Sequence, residues 1–118
     1  MNHFIPLETR NRVALPEEIA TRFNGVVHIT IDKYGLRLMS DEELSGLHEA
    51  FKKLPKEKQK KHRSMLVNTE KCKIFRGTFY IPNTLLQRVF PNETGELCLV
   101  MRDDKVLLTK KENEDDRV

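Results

Sequence analysis

The sequence has little of what builds a disulfide framework, a metal site or a membrane span. Its 118 residues include two cysteines, five glycines and no tryptophan. Cys72 and Cys98 are too few and too far apart for a disulfide framework or a CxxC metal site. No apolar run approaches the length of a membrane span, and the first ten residues lack the basic-then-apolar order of a signal peptide. These absences predict a cytoplasmic protein in a reducing compartment, with no membrane partner.

Signatures of catalysis are also missing from the sequence. There is no glycine-rich phosphate loop, no HExxH or GxSxG motif, and no paired set of cysteine and histidine at metal-ligand spacing. The four histidines are scattered, and both cysteines fall on predicted strands, where a small buried side chain is the common role. We therefore expect no enzyme, no cofactor and no metal, although spacing alone leaves a Cys72–Cys98 pairing open.

Charge is distributed unevenly along the chain. The formal net charge is +3, but residues 52–73 hold nine Lys or Arg and two Glu, while the segments on either side are slightly acidic. A concentrated basic segment is typical of a surface that faces a polyanion. It is equally typical of a solvated, lysine-rich helix face, so charge alone does not decide between the two.

Two segments of the chain resemble each other. RVALPEEIATRF at 12–23 matches TFYIPNTLLQRV at 78–89 at an offset of 66 residues, with Pro16 over Pro82. After four inserted residues the offset is 70, and the apolar-alternating segment 26–40 lies over 96–110. Each copy predicts a short strand, a proline that opens one or two helical turns, and a β-hairpin. Two copies of one unit predict a fold with pseudo-twofold symmetry.

A helical insertion is predicted between the two copies. Ser40 and Glu43 form the S-x-x-E pattern of a capping box at a helix start. One apolar stripe follows at spacings of three, four and three residues, formed by Leu44, Leu47, Phe51 and Leu54. Pro55 ends this helix and opens a second one that runs through the lysine cluster to Leu66. The charged C-terminal residues 111–118 have no apolar spacing, which predicts a disordered tail.

The segment LETRNRVALP before the first proline holds the candidate binding residues. Arg10 and Arg12 are two residues apart and would point to the same side of a strand. Arginine is suited to forked contacts with phosphate or guanine, Asn11 lies between the two arginines, and Glu8 is placed to orient Arg12. The same spacing is also typical of an exposed edge strand with ordinary charges.

These residues resemble a known family. From its start to about Lys111 the chain is similar to MraZ, a bacterial regulator built from two SpoVT/AbrB-type swapped-hairpin repeats. The repeat of that family carries a D-x-x-x-R motif followed by an apolar pair and a proline, and the segment from Glu8 to Pro16 stands at that place. The stretches MSDEELSGLHEAFKKLP and HRSMLVNTEKCKI resemble the family's inter-repeat helix and its approach to the second repeat.

The second repeat departs from the family pattern. Its aligned residues, Ile74 to Thr78, lack both the Asp and the Arg of the motif, and Gly77, Tyr80, Ile81 and Pro82 keep the rest. The first repeat has closer changes, with Glu8 for aspartate, Arg10 for lysine and Asn11 for glycine. The chain therefore resembles a divergent family member, with a base-reading element in its first repeat alone.

The resemblance implies an α+β fold. Two SpoVT/AbrB-like swapped-hairpin units would lie in pseudo-twofold arrangement around one barrel-like core. Residues 1–39 would form the first repeat, 40–68 the two inserted helices, 69–110 the degenerate second repeat and 111–118 the tail.

The resemblance also implies a nucleoid-associated transcription regulator that binds double-stranded DNA as a ring-like homo-oligomer, each protomer recognising one of several repeated operator boxes. Arg10, Asn11 and Arg12 would contact DNA, with Glu8 as the orienting carboxylate, and Lys73 and Arg76 would contact phosphate. A second hypothesis is an interaction module on the same scaffold that does not read DNA and that binds or co-assembles with a host protein.

Overall fold

The structure is a computed structural model that describes residues 2–6, 11–32, 35–90 and 96–110. Within these ranges the chain is α+β, with four α-helices and strands that form two antiparallel sheets. The α+β class predicted from the sequence is confirmed. The predicted tail at 111–118 and the predicted site residues Glu8 and Arg10 lie outside the described ranges.

The elements of the first half follow the predicted order of strand, proline, short helix and hairpin. Pro16 directly precedes the first helix, with φ of −56°, because proline fits where a helical N–H has no partner. A 3-10 turn at Thr21–Phe23 continues this helix. The elements are β1 (Asn2–Pro6), β2 (Arg12–Ala14), α1 (Glu17–Ala20), β3 (Val26–Asp32) and β4 (Gly35–Met39).

The inserted helices are α2 (Asp41–Lys52) and α3 (Lys56–Val67). The predicted capping box at the start of α2 is present: Ser40 Oγ accepts from the Glu43 N–H at 3.1 Å, and the Glu43 carboxylate accepts from the Ser40 N–H at 3.2 Å. Pro55 lies between the two helices, as its lack of a donor predicts.

The second half repeats the order of the first with a longer helix. Its elements are β5 (Glu70–Lys73), β6 (Thr78–Tyr80), α4 (Asn83–Val89), β7 (Glu96–Arg102) and β8 (Lys105–Lys110). Pro82 directly precedes α4, again with φ of −56°. Asp103 and Asp104 form the predicted turn between β7 and β8, both with positive φ, which aspartate tolerates better than most residues.

Six strands form one sheet in the order β1-β7-β8-β4-β3-β5, and β2 pairs with β6 in a separate two-stranded sheet. All pairs are antiparallel. The order is linear, with β1 and β5 as its edges, so the strands within the described ranges do not hydrogen-bond into a closed barrel. The β2–β6 pair contacts both edges, since β1 contacts β2 and β5 contacts β6.

The core lies between the large sheet, the β2–β6 pair and the short helices. It includes Val13 and Phe79 from the small sheet, Phe23 after α1, and Leu86 from α4. Gly35 at the start of β4 has φ of 144°, and a Cβ there would lie 2.2 Å from the carbonyl oxygen of Leu108. Both the positive φ and the close approach of β8 favour glycine at this position.

Polar contacts attach α2 to the sheet. The buried His28 of β3 places Nε2 2.5 Å from Asp41 Oδ1, in the first turn of α2. Arg37 of β4 lies 3.6 Å from the Glu43 carboxylate of the same turn. The apolar stripe on α2 is half-buried, and no residue of the helix is fully buried. Polar contacts thus attach the N-terminal turn of α2 to two strands of the sheet.

Candidate nucleic-acid interface

The β2–β6 pair is a short ribbon with one buried and one exposed face. Val13 pairs with Phe79, and both are fully buried, whereas Arg12 and Ala14 before and after Val13 are exposed. Tyr80, the cross-strand partner of Arg12, is 54% exposed. Period-two alternation therefore places Arg12 and Tyr80 side by side on the outer face of the ribbon.

Backbone hydrogen bonds at both ends fix the ribbon. The Ile81 N–H donates to the Asn11 carbonyl at 3.0 Å, and the Leu15 N–H donates to the Gly77 carbonyl at 2.8 Å. The Arg12–Tyr80 pair lies between these bonds, at a position where the side chains of two antiparallel strands are closest, with Cβ atoms about 4.5–5.5 Å apart. Arg12 and Tyr80 are thus direct cross-strand neighbours on the outer face of the ribbon.

Asn11 enters the ribbon in a left-handed conformation, with φ of 64°. Its side-chain amide donates to the Ile81 carbonyl at 3.4 Å. Asparagine tolerates this conformation better than most other side chains. The Asn11 amide therefore joins the residue before β2 to the residue after β6, a role that the sequence did not predict.

The opposite end of the ribbon is a tight two-residue turn. Phe75 and Thr78 exchange backbone hydrogen bonds of 2.8 and 3.0 Å, and Arg76 and Gly77 between them have φ of 54° and 77°. Two central residues with positive φ define a type I′ turn, which favours Asn-Gly. Arginine is an unfavourable residue at the first of these positions, and its conformation is therefore strained.

Exposed side chains surround this turn. The Arg76 guanidinium lies 5.2 Å from the centre of the Phe75 ring, within cation–π range, and Phe75 is 72% exposed. Lys73 and Lys71 are exposed on the edge strand β5, which leads into the turn. The predicted residues Lys73 and Arg76 are thus near each other in the chain and open to solvent.

A groove of about 740 Å³ adjoins the Arg76–Gly77 turn. It separates the turn from α1 and is open to solvent along one side. Its lining residues come from α1, the turn that follows it, and the chain between β5 and β6: Leu15, Glu17, Ala20, Thr21, Asn24, Gly25, Ile74, Arg76 and Gly77. Glu17 and Arg76 give the groove opposite charges on its two walls.

The basic segment 52–73 extends from α3 to this end of the molecule. Lys56, Lys60 and Arg63 are exposed on α3 at spacings of four and three residues, which places them on one helix face. Since α3 leads into β5, the basic residues continue to Lys71 and Lys73 at the edge of the sheet. Cations therefore occur both on the inserted helix and beside the ribbon.

The two cysteines lie far apart in the fold. Both cysteines are free thiols, and the three strands between β5 and β7 keep Cys72 apart from Cys98. Burial and the charge of Glu70 raise the pKa of the Cys72 thiol, which lowers its reactivity at neutral pH.

Among the described side chains, no three His, Cys, Asp or Glu converge as metal ligands. None of the described helices has both the length and the apolarity needed to cross a membrane.

The sequence anticipated the arginines of this surface but missed its aromatic residues. Phe75 precedes the Arg76–Gly77 turn and Tyr80 lies at the far end of β6, and the sequence assigns no binding role to either. The alternation Thr78-Phe79-Tyr80 indicated that Tyr80 and Phe79 point to opposite faces, but either one fits a core position. The pairing of β6 with β2 shows that Tyr80 is on the exposed face, and this pairing is known only from the structure.

Comparison with known proteins finds no matching protein-family model and no significant match among curated proteins.

Proposed function

We propose that the protein is a DNA-binding transcriptional regulator that resembles MraZ. In this proposal it recognises repeated operator boxes through the segment Glu8–Arg12 of its first repeat. A ring-like homo-oligomer, associated with the nucleoid in the cytoplasm, would engage several boxes at once. The observation that carries the proposal is the outer face of the β2–β6 ribbon, where Arg12 is exposed on a backbone that is hydrogen-bonded at both ends of the ribbon.

The strand pairing supports the two-repeat fold that this proposal needs. Val13 and Phe79 pair at the centre of the β2–β6 ribbon, and they are 66 residues apart, the offset of the first alignment. Arg37 and Leu107 pair at the centre of the β4–β8 contact, and they are 70 residues apart, the offset of the second. A twofold axis that passes through both contacts would pair each residue at the axis with its equivalent in the other copy. This is the pairing that both contacts have.

The order of the large sheet supports the same arrangement. The large sheet has the strand order β1-β7-β8-β4-β3-β5. If each strand of one half is exchanged for its counterpart (β1 for β5, β7 for β3, β8 for β4), the result is the same order read from the opposite edge. The ribbon contacts both sheet edges, which favours a barrel-like core. The two hydrogen bonds at the ribbon ends are also equivalent, since Asn11 and Gly77 occupy matching positions.

The dimensions and chemistry of the ribbon suit duplex DNA. A two-stranded β-ribbon fits the major groove, which is about 12 Å wide. Arginine supplies two parallel donors for the O6 and N7 atoms of guanine, and the backbone bonds on both sides of Arg12 limit the entropy lost on binding. Lys73 and Arg76 at the other end of the ribbon are placed to contact phosphates, which fix register rather than sequence.

A titration of fluorescent duplexes tests this function. Duplexes enriched by the protein from a randomised pool are titrated with wild type, Arg12→Ala and Arg88→Ala. Removal of a bidentate base contact at Arg12 is expected to cost about 1–3 kcal/mol on the enriched duplex and far less on an unrelated one. Arg88, exposed on α4 away from the ribbon, controls for the loss of one positive charge. Equal weakening by both variants would contradict a base-reading role for Arg12.

A protein-interaction module is the second candidate function. It is favoured by the exposure of Phe75 and Tyr80, because aromatic and arginine side chains are the commonest anchors of protein interfaces. Retention of partners from a lysate, with and without nuclease, separates the two functions. A stoichiometric partner that survives nuclease treatment, with no DNA retained by the purified protein, would support the module and contradict the regulator.

A further inference from the structure

Two large apolar side chains are exposed among those that the structure describes: Tyr80 in the ribbon and Phe75 in the turn at its end. Phe75 is 72% and Tyr80 54% exposed. Each has an arginine beside it: Arg76 lies over the Phe75 ring, and Arg12 is the cross-strand partner of Tyr80. Burial of an aromatic ring is strongly favourable, so an exposed phenylalanine at a turn is a candidate contact residue.

The backbone of Phe75 is fixed on both sides. Its N–H donates to the Thr78 carbonyl and its carbonyl accepts from the Thr78 N–H. The Arg76 guanidinium packs on the ring from the following residue. A ring that is already ordered before binding loses little conformational entropy in a complex.

The charges around Phe75 favour a nucleic acid over an apolar protein surface. Lys71 and Lys73 are exposed on the strand that precedes it, and Arg76 follows it. Phenylalanine flanked by cations is a combination found in proteins that insert an apolar wedge between base steps while lysine and arginine hold the adjacent phosphates. The type I′ turn carries the exposed ring at the end of the ribbon.

We propose that Phe75 is a specificity-determining residue that inserts into a base-pair step of duplex DNA, with Arg76 on a neighbouring phosphate. This inference rests on the proposed DNA-binding function. It assigns a role to the second repeat, which lacks the Asp and Arg of the base-reading motif. Pyrimidine–purine steps of DNA unstack most easily. The second repeat would therefore select DNA sequences that contain such an easily deformed step.

The test compares wild type, Phe75→Ser, Phe75→Leu and Arg12→Ala on duplexes enriched from a randomised pool. Affinity is measured by fluorescence anisotropy at two salt concentrations, and bending by energy transfer between dyes at the duplex ends. Phe75→Ser is expected to lose roughly tenfold in affinity, the range of one specific base-pair contact, with an unchanged salt slope. It is also expected to abolish the bend, whereas Phe75→Leu retains the bend because leucine is also an effective wedge.

The outcomes separate the wedge from the function on which it rests. If Phe75→Ser binds and bends DNA like wild type while Arg12→Ala is impaired, the wedge is refuted and the regulator stands. If the wild-type protein enriches no duplex, both are refuted. A change in oligomer mass for Phe75→Ser, measured by light scattering, with unchanged DNA affinity would assign Phe75 to self-association and overturn the proposal. A thermal melt of each variant shows that the fold is retained.

Discussion

Replacement of Arg76 by asparagine is expected to stabilise the fold and weaken DNA binding. Arg76 has φ of 54° at the first central position of the type I′ turn. A residue with a Cβ costs about 1–2 kcal/mol in the left-handed region, and asparagine avoids part of this cost. The substitution also removes the cation–π contact with Phe75, which is worth about 0.5–1 kcal/mol at an exposed site. The expected balance is a gain of up to about 1 kcal/mol in the free energy of unfolding.

Urea unfolding and DNA titration measure the two effects separately. With a slope of about 1–3 kcal/mol per molar urea, the gain corresponds to a rise of a few tenths of a molar in the midpoint, at unchanged slope. If Arg76 contacts a phosphate, Arg76→Asn lowers the salt dependence of binding by about 0.9 on a log–log plot. A loss of stability in Arg76→Asn would refute the argument, because it would show that contacts of the arginine outweigh the strain of the turn.

Asn11 supplies a matched control. Asn11 has φ of 64° at the other end of the ribbon, where its amide also donates to the Ile81 carbonyl at 3.4 Å. Asn11→Arg introduces the backbone strain that Arg76→Asn relieves, and Asn11→Arg also removes this hydrogen bond. It is therefore expected to lower the free energy of unfolding by about 2 kcal/mol. Opposite signs for the two substitutions are the expected result.

Two further predictions concern stability and are checked by thermal melting. Gly35→Ala is expected to lower the free energy of unfolding by about 3 kcal/mol or more, because its Cβ would lie 2.2 Å from the Leu108 carbonyl oxygen. Gly46→Ala, on the open face of α2, is expected to raise it by about 0.5–1 kcal/mol. Equal melting temperatures for these two variants would contradict the β4–β8 contact. Ser40→Ala is expected to cost about 1 kcal/mol through the lost cap of α2, and an unchanged melting temperature would show that α2 contributes nothing to cooperative unfolding.

Features encoded by neighbouring residues could be predicted from the sequence. The Ser40–Glu43 cap and the prolines before α1 and α4 each depend on a few adjacent residues, and all are confirmed. Alternation indicates which residues of a strand share a face, but it does not name the partner strand. The pairing of β2 with β6 and of β4 with β8 joins residues more than 60 positions apart, so it required the structure.

The same limit applies to the candidate site. Arg12 was identified from residue type and spacing, and its exposed position on β2 is compatible with that prediction. The holding role of Asn11 and the strain at Arg76 depend on backbone conformation, which the sequence did not specify. Glu8 and Arg10 remain predictions. Tyr80 was missed because an aromatic residue in an alternating segment fits either face until its partner is known.

Salt dependence should distinguish the two basic regions of the molecule. The predominant charge lies in residues 52–73, but most of these cations are on α2 and α3, whereas Lys71 and Lys73 lead directly into the ribbon turn. Flexible lysines contact phosphates without regard to sequence, so those that touch DNA raise affinity for every duplex and steepen the salt slope. Arg12 instead is expected to change the ratio of the affinities for preferred and unrelated duplexes. The region with the greater charge therefore need not be the one that determines sequence preference.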